Sequence, residues 1–194
     1  VRTALSREVI ARTALALTDE QGLAGLSMRK LGGLLGVEAM SLYHYVTNKD
    51  DLLDAVLDCL FEEIELPRNI PDHDWELATR GGLRSFRSVL ISHRAALELF
   101  ASRPGKSAAA FDVLSWSHSR FQLVGLDVAE SCHAFHFAVS FVMGHVATEV
   151  GTMAMLRDGK GVDLQLVDDP AVRALMIEHR TITSDDMFER GLEA

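Results

Sequence analysis

Apolar residues recur at steps of three and four along almost the whole of this 194-residue chain, and only four prolines, Pro67, Pro71, Pro104 and Pro170, interrupt them. A repeat near 3.6 matches one face of a helix, whereas a strand alternates every second residue, so the pattern predicts an all-α protein. Ser6 is placed to cap a first helix that runs to about Glu20, with Val9, Ile10, Thr13, Ala14 and Leu17 on one face and Gly22 as its stop. Ser27 caps a short second helix, MRKLGGLL, which ends at Gly36. A third begins after Val37 and finishes near Tyr45, because TNKDDLL presents a new cap at Thr47 or Asn48. The helix behind that cap carries Leu52, Leu53, Val56, Leu57, Leu60, Phe61 and Ile64 and stops at Pro67.

The two prolines of LPRNIPDHD mark a break between units. Beyond it the spacing predicts helices from about Trp75 to Ser92, across Ala95 to Ala101, from about Ser107 to Val124 and from Asp127 to about Leu156, then one or two more after Pro170. The longest carries Val128, Cys132, Phe135, Val139, Val142, Val146, Val150 and Met153 in one stripe, which suits an internal core and a partner helix equally. A chain of this length buries about 70% of its unfolded surface without staples. Cys59 and Cys132 sit far apart inside apolar patterns and read as reduced core residues. Charge or histidine breaks the apolar runs before the ~18 residues of a membrane span, and no export signal stands at the start, so a cytoplasmic location is expected.

A net charge of −9 taken alone argues against a nucleic-acid partner. Its distribution argues for one. Within residues 1–49, Arg2, Arg7, Arg12, Arg29, Lys30 and Lys49 outnumber Glu8, Asp19, Glu20 and Glu38 by two, which leaves −11 for the remainder. A basic head on an acidic body suits an anionic partner at the head alone. Two short helices joined at Gly36, with a capped helix directly after, have the form of a helix-turn-helix. Gly36 permits φ > 0, Val37 plugs the angle, and Leu31, Leu34, Leu35 and Leu42 supply interior contacts. Glu38, Ala39, Ser41, Tyr43, His44 and Tyr45 are left with few interior duties. In a major groove, the small Ala39 and Ser41 allow close approach to base edges, and Arg29 is the best donor for a bidentate guanine contact. Tyrosine hydroxyls, Lys49 and Ser27 suit phosphate oxygens. Gly32 and Gly33 inside the second helix weaken it by about 1 kcal/mol each relative to alanine, for which close helix packing is the one reason on offer.

The run LSMRKLGGLLGVEAMSLYHYVTNKDDLLDAVLD resembles the N-terminal domain of the tetracycline repressor (TetR) family, over residues 6 to about 60. That resemblance implies an all-helical homodimer with a three-helix DNA-binding head, residues 1–49, and a larger ligand-binding and dimerisation body, residues 50–194, joined by a helix at about 48–66. It carries DNA contacts onto Ser27, Met28, Arg29, Ala39, Met40, Ser41, Tyr43, His44, Tyr45 and Lys49. The partners implied are double-stranded palindromic operator DNA and a small-molecule inducer, with no membrane, and the function implied is a repressor released by that inducer.

More weakly, LRSFRSVLISHR, FASRPG, FVMGHV and FERGLE resemble the body of the family's tetracycline-binding members, where the matches to Phe86, Ser102, Arg103 and Pro104 line the drug pocket. Phe100, Trp116, Phe135, Ser140, His145 and Glu149 complete an expected ligand-binding set, since aromatics with a few polar groups have the makeup of a largely apolar cavity. Departures matter as well. Leu99 stands where those members place a metal-binding histidine, Gly82 where an asparagine grips the drug, and Thr148, with Glu149 beside it, where an acidic residue helps hold magnesium. Leucine cannot replace a hard ligand, so an inducer other than a magnesium–tetracycline chelate is expected.

Competing chemistries lack their residues. GKS in RPGKSA requires a glycine where Phe100 stands. His118, His133, His136 and His145 have no matching carboxylate set, so neither metal nor cofactor is expected. No nucleophile–base pair supports an enzyme, while a DNA-binding regulator without a small-molecule ligand stays open.

Overall fold

A computed structural model describes residues 4–159 and 163–193, apart from the side chains of 179–181. Among the described residues there are ten α-helices and no strand: α1 (Arg7–Gln21), α2 (Met28–Leu35), α3 (Ala39–Leu42), α4 (Lys49–Glu62), α5 (Trp75–Ser92), α6 (Leu97–Ser102), α7 (Ala108–Gln122), α8 (Val128–Arg157), α9 (Pro170–Thr181) and α10 (Ser184–Glu193). The expected caps start them. The side chains of Ser6, Ser27, Asn48, Ser107 and Asp169 accept first-turn N–H groups of α1, α2, α4, α7 and α9, and Pro170 takes the first position of α9, where no N–H is needed.

The chain divides into two compact units, residues 1–140 and 141–194, and the boundary falls inside α8. In the first, α1 packs on α4 and α2, and α4 packs in turn on α6 and α7. Ile10, Ala14, Leu17, Leu31, Leu42, Val46, Leu52, Val56 and Leu60 form the interior around α1 and α4. Covered on two sides, α1 buries more than a single stripe: Ala11, Leu15 and Thr18 are inside, while Val9 and Thr13 of the expected face are half-buried. Leu34, expected inside, is 62% exposed, because the inward arc of α2 is taken by Leu31 and Gly32. In the second unit, Phe141 stacks on the fully buried Phe188 of α10, and Val142 and Val146 are buried.

One expectation is corrected. By length and composition Val128–Arg157 is long and apolar enough to cross a membrane, its histidines notwithstanding. The long apolar stripe is buried only at Val142 and Val146, whereas Val128 and Met153 near its ends are exposed.

Candidate nucleic-acid interface and ligand-binding residues

The turn between α2 and α3 fixes the reading surface. Gly36 has φ 68°, the left-handed region that glycine enters freely. Its N–H bonds back to the Gly33 carbonyl at 3.3 Å, and the Val37 N–H reaches the Gly32 carbonyl at 2.9 Å, the paired bonds of a Schellman ending. A Cβ on Gly32 would lie 2.8 Å from the Val37 carbonyl oxygen and 3.2 Å from the Ala39 nitrogen, so this glycine lets α2 and α3 touch. A Cβ on Gly33 would meet nothing within 4 Å, and packing does not account for it.

Leu42 and Val46 anchor α3 from inside. Of the ten expected DNA contacts, Ser27, Arg29, Met40, Tyr43, His44, Tyr45 and Lys49 are exposed and Met28, Ala39 and Ser41 are half-buried. Met40 is 73% exposed, a large apolar side chain that the described residues leave uncovered. Among the described residues neither Arg29 nor Lys49 has an ion-pair partner, whereas neighbouring Lys30 donates to Gln21 Oε1 at 2.8 Å. Lys49 opens α4, where the helix dipole disfavours a cation, with Asp50 and Asp51 beside it.

A hub at Asp51 holds this surface in place, and no sequence motif announced it. Its Oδ1 accepts Arg7 at 2.6 Å and its Oδ2 accepts the Thr47 backbone N–H at 2.7 Å. Arg7 also donates to the Tyr45 carbonyl at 3.2 Å, so the start of α1 grips the Tyr43–Tyr45 segment. The Arg7 hydrogen bond first, then the Thr47 N–H, hold the Asp51 carboxyl down to about 2. Burial pushes the Cys59 thiol up to about 11, which fits an inert core residue.

The expected ligand residues scatter by role. Phe86 and Phe100 meet edge to face at 5.3 Å, and Phe100 meets Phe61 of α4 at 5.2 Å, an aromatic cluster that a Cβ on Gly105 would strike. Arg103 donates to Asp54 at 2.7 Å and Asp50 at 2.5 Å, tying the end of α6 to the first turns of α4. The buried Trp116 ring would lie 2.9 Å from a Gly82 Cβ, with Arg120 over the indole at 5.8 Å. The Ser102 hydroxyl is spent on the Glu98 carbonyl at 2.8 Å, and Pro104 and Ser140 are exposed. Phe135 stacks on His118 at 5.9 Å. In the second unit, His145 meets Ser184 Oγ at 3.0 Å and Glu149 at 3.8 Å, the His145 and Glu149 side chains being largely buried. Among the described residues no group of three or more metal-ligating side chains comes together. A shallow polar depression of about 330 Å³ at the start of α5, lined by His73, Trp75, Glu76, Arg80 and Arg84, contains none of the expected ligand residues.

Two family profiles cover most of the chain: that of the bacterial regulatory proteins, tetR family, matches residues 10–56, and that of the tetracyclin repressor-like C-terminal domain matches residues 66–194. The chain belongs to the TetR family. Its head and body both carry that family's pattern, and the TetR relatives are transcriptional regulators, so the chain is a DNA-binding regulator and not an enzyme. The Escherichia coli class C tetracycline repressor is 36% identical over 97% of this chain and 87% of its own length. ActR of Streptomyces coelicolor, in complex with actinorhodin, superposes with a TM-score of 0.80 at 26% identity, over 98% of this chain and 94% of ActR. BioQ with its double-stranded DNA operator matches at a TM-score of 0.65 and 26% identity, over 80% of this chain and 93% of BioQ. TetR-family regulators are soluble DNA-binding proteins.

Proposed function

We propose that this chain is a cytoplasmic, homodimeric transcriptional repressor that binds double-stranded palindromic operator DNA and releases it when a small molecule binds the body. The observation that carries the reading is the surface made by α2, α3 and the start of α4. There Arg29, Met40, Tyr43, His44, Tyr45 and Lys49 are exposed, and among the described residues no hydrogen bond or ion pair holds their side chains. Residues 1–49 act as the DNA-binding head and 50–194 as the body. Phosphate contacts fall to Ser27, Tyr43, Tyr45 and Lys49 and base contacts to Arg29, Ala39, Met40 and Ser41, with Met28 and His44 at the margins.

Release requires that the ligand favour a head separation that no longer fits successive major grooves, about 34 Å apart, because tight binding without differential affinity shifts nothing. Arg103 supports this reading, since it joins the end of α6 to Asp50 and Asp54 beside Lys49. The ligand-binding residues of this reading are Phe86, Phe100, Ser102, Arg103, Pro104, Trp116, Phe135 and Ser140 of the first unit and His145 and Glu149 of the second. The buried, apolar Leu99 and the Trp116 ring over Gly82 support an inducer other than a magnesium–tetracycline chelate. Gel shifts on palindromic duplexes flanking the chain's own gene test the proposal, with a retarded band expected and loss of every band overturning it.

A further inference from the structure

His93 follows the last turn of α5, and both of its ring nitrogens meet carboxylates from other helices. Nδ1 lies 2.7 Å from Asp19 Oδ2, in the last turn of α1, and Nε2 lies 2.8 Å from Glu63 Oε2, at the C-terminal end of α4. A neutral imidazole donates from one nitrogen only, whereas the imidazolium donates from both. The geometry therefore calls for the charged ring. Asp19 and Glu63 both sit at helix C-termini, where the dipole disfavours an anion, and without a cation between them they have nothing to offset that cost. The ring is only 17% exposed, so water is a poor substitute for it. Burial acts to lower its pKa, but the hydrogen bonds to Asp19 and then Glu63, with their charges, outweigh burial and raise it above the ordinary 6.5.

The turn after His93 packs on α1, α5 and α6, and the charged groups that face the ring from neighbouring helices are Asp19 of α1 and Glu63 of α4. Both of those helices support the reading surface: α1 through Arg7 on Tyr45, α4 through Asp51 and Lys49. We propose that His93, as the imidazolium, is a positioning residue for operator binding, which clasps the ends of α1 and α4 to the end of α5 and makes operator affinity fall as pH rises. This rests on the repressor reading above. A raised folded pKa means that the clasp is complete below the unfolded value and is lost as pH rises through the folded one. Once it opens, conformers whose head does not fit the groove gain population and affinity drops.

The probe is a duplex recovered by the full-length protein from a random-sequence pool. Its affinity is measured from about pH 6 to about pH 9 for the parent, for His93→Gln and for the double variant Asp19→Asn/Glu63→Gln, each verified as folded by circular dichroism. The His93 ring is titrated by NMR in the free protein alongside. The parent is expected to lose about threefold to tenfold more affinity across that range than His93→Gln, as suits a partly exposed clasp. The ring midpoint is expected above 6.5 and lower in the double variant. His44, on the same surface, is present in every protein, so its contribution cancels in the comparison. Equal pH slopes in parent and His93→Gln, or a ring midpoint at or below 6.5, overturn the role of His93 while leaving the repressor reading intact. A parent that recovers no duplex overturns the repressor reading instead.

Discussion

Lys49 spends its charge against the chain's own interest, at the start of α4 where the dipole repels it. Lys49→Ala is therefore expected to leave the fold as stable or stabilise it by about 0.3–1 kcal/mol. The same change weakens binding to duplexes of every sequence and lowers the salt slope by about one, whereas Arg29→Ala relaxes preference at one base pair. Titrations at several salt concentrations on matched and scrambled duplexes separate the two. Asp51 behaves oppositely, as an internal brace. Its folded pKa of about 2 lies below the ordinary carboxylate value, so its contribution is present above about pH 4 and disappears as pH falls through about 2. Asp51→Asn should melt lower near neutrality by an amount worth about 1 kcal/mol after solvent screening, and the gap should close on acidification through that window. Melting curves whose separation does not change with pH would remove the brace.

The α2–α3 pair makes two neighbouring glycines opposites. Gly32→Ala drives a methyl onto the Val37 carbonyl and should destabilise the head by about 1–3 kcal/mol. Gly33→Ala meets open space and should stabilise it by up to about 1 kcal/mol, so denaturant midpoints ought to bracket the parent. Elements such as these were legible in the sequence because caps and stops are local: Ser6, Ser27 and Ser107 stand directly before the helices they cap, and Gly36 directly after the one it ends. The reading surface was legible for a related reason, since polar and aromatic residues that no nearby pattern could bury had to face outward. Partners distant along the chain were not. Nothing near Trp116 says that Gly82 opens a slot for it, nothing near Arg103 points to Asp50 and Asp54, and Asp51 reads as an ordinary first-turn acid until Arg7 arrives. The difference between Gly32 and Gly33 was hidden in the same way, because only the arrival of Val37 distinguishes them.

Across the whole molecule, large apolar side chains stay outside: Val128, Phe137, Met153 and Leu156 of α8 are all exposed, Phe137 at 77%. A surface of that kind suits a second copy of the chain, and sedimentation should return twice the chain mass. Phe137→Glu should shift that equilibrium toward the monomer at micromolar concentration, and an unchanged dimer would exclude the position from the contact. The four residues of α3 are held by Leu42 and by a backbone turn that leans on Gly32, while the side chains of Ala39, Met40 and Ser41 make no hydrogen bond to the described rest of the chain. On the proposed reading, in which these three side chains meet bases, specificity and foldability are written in separate letters of one short word. A library varied at those three positions alone would re-address the regulator to other promoters without asking the scaffold to fold anew.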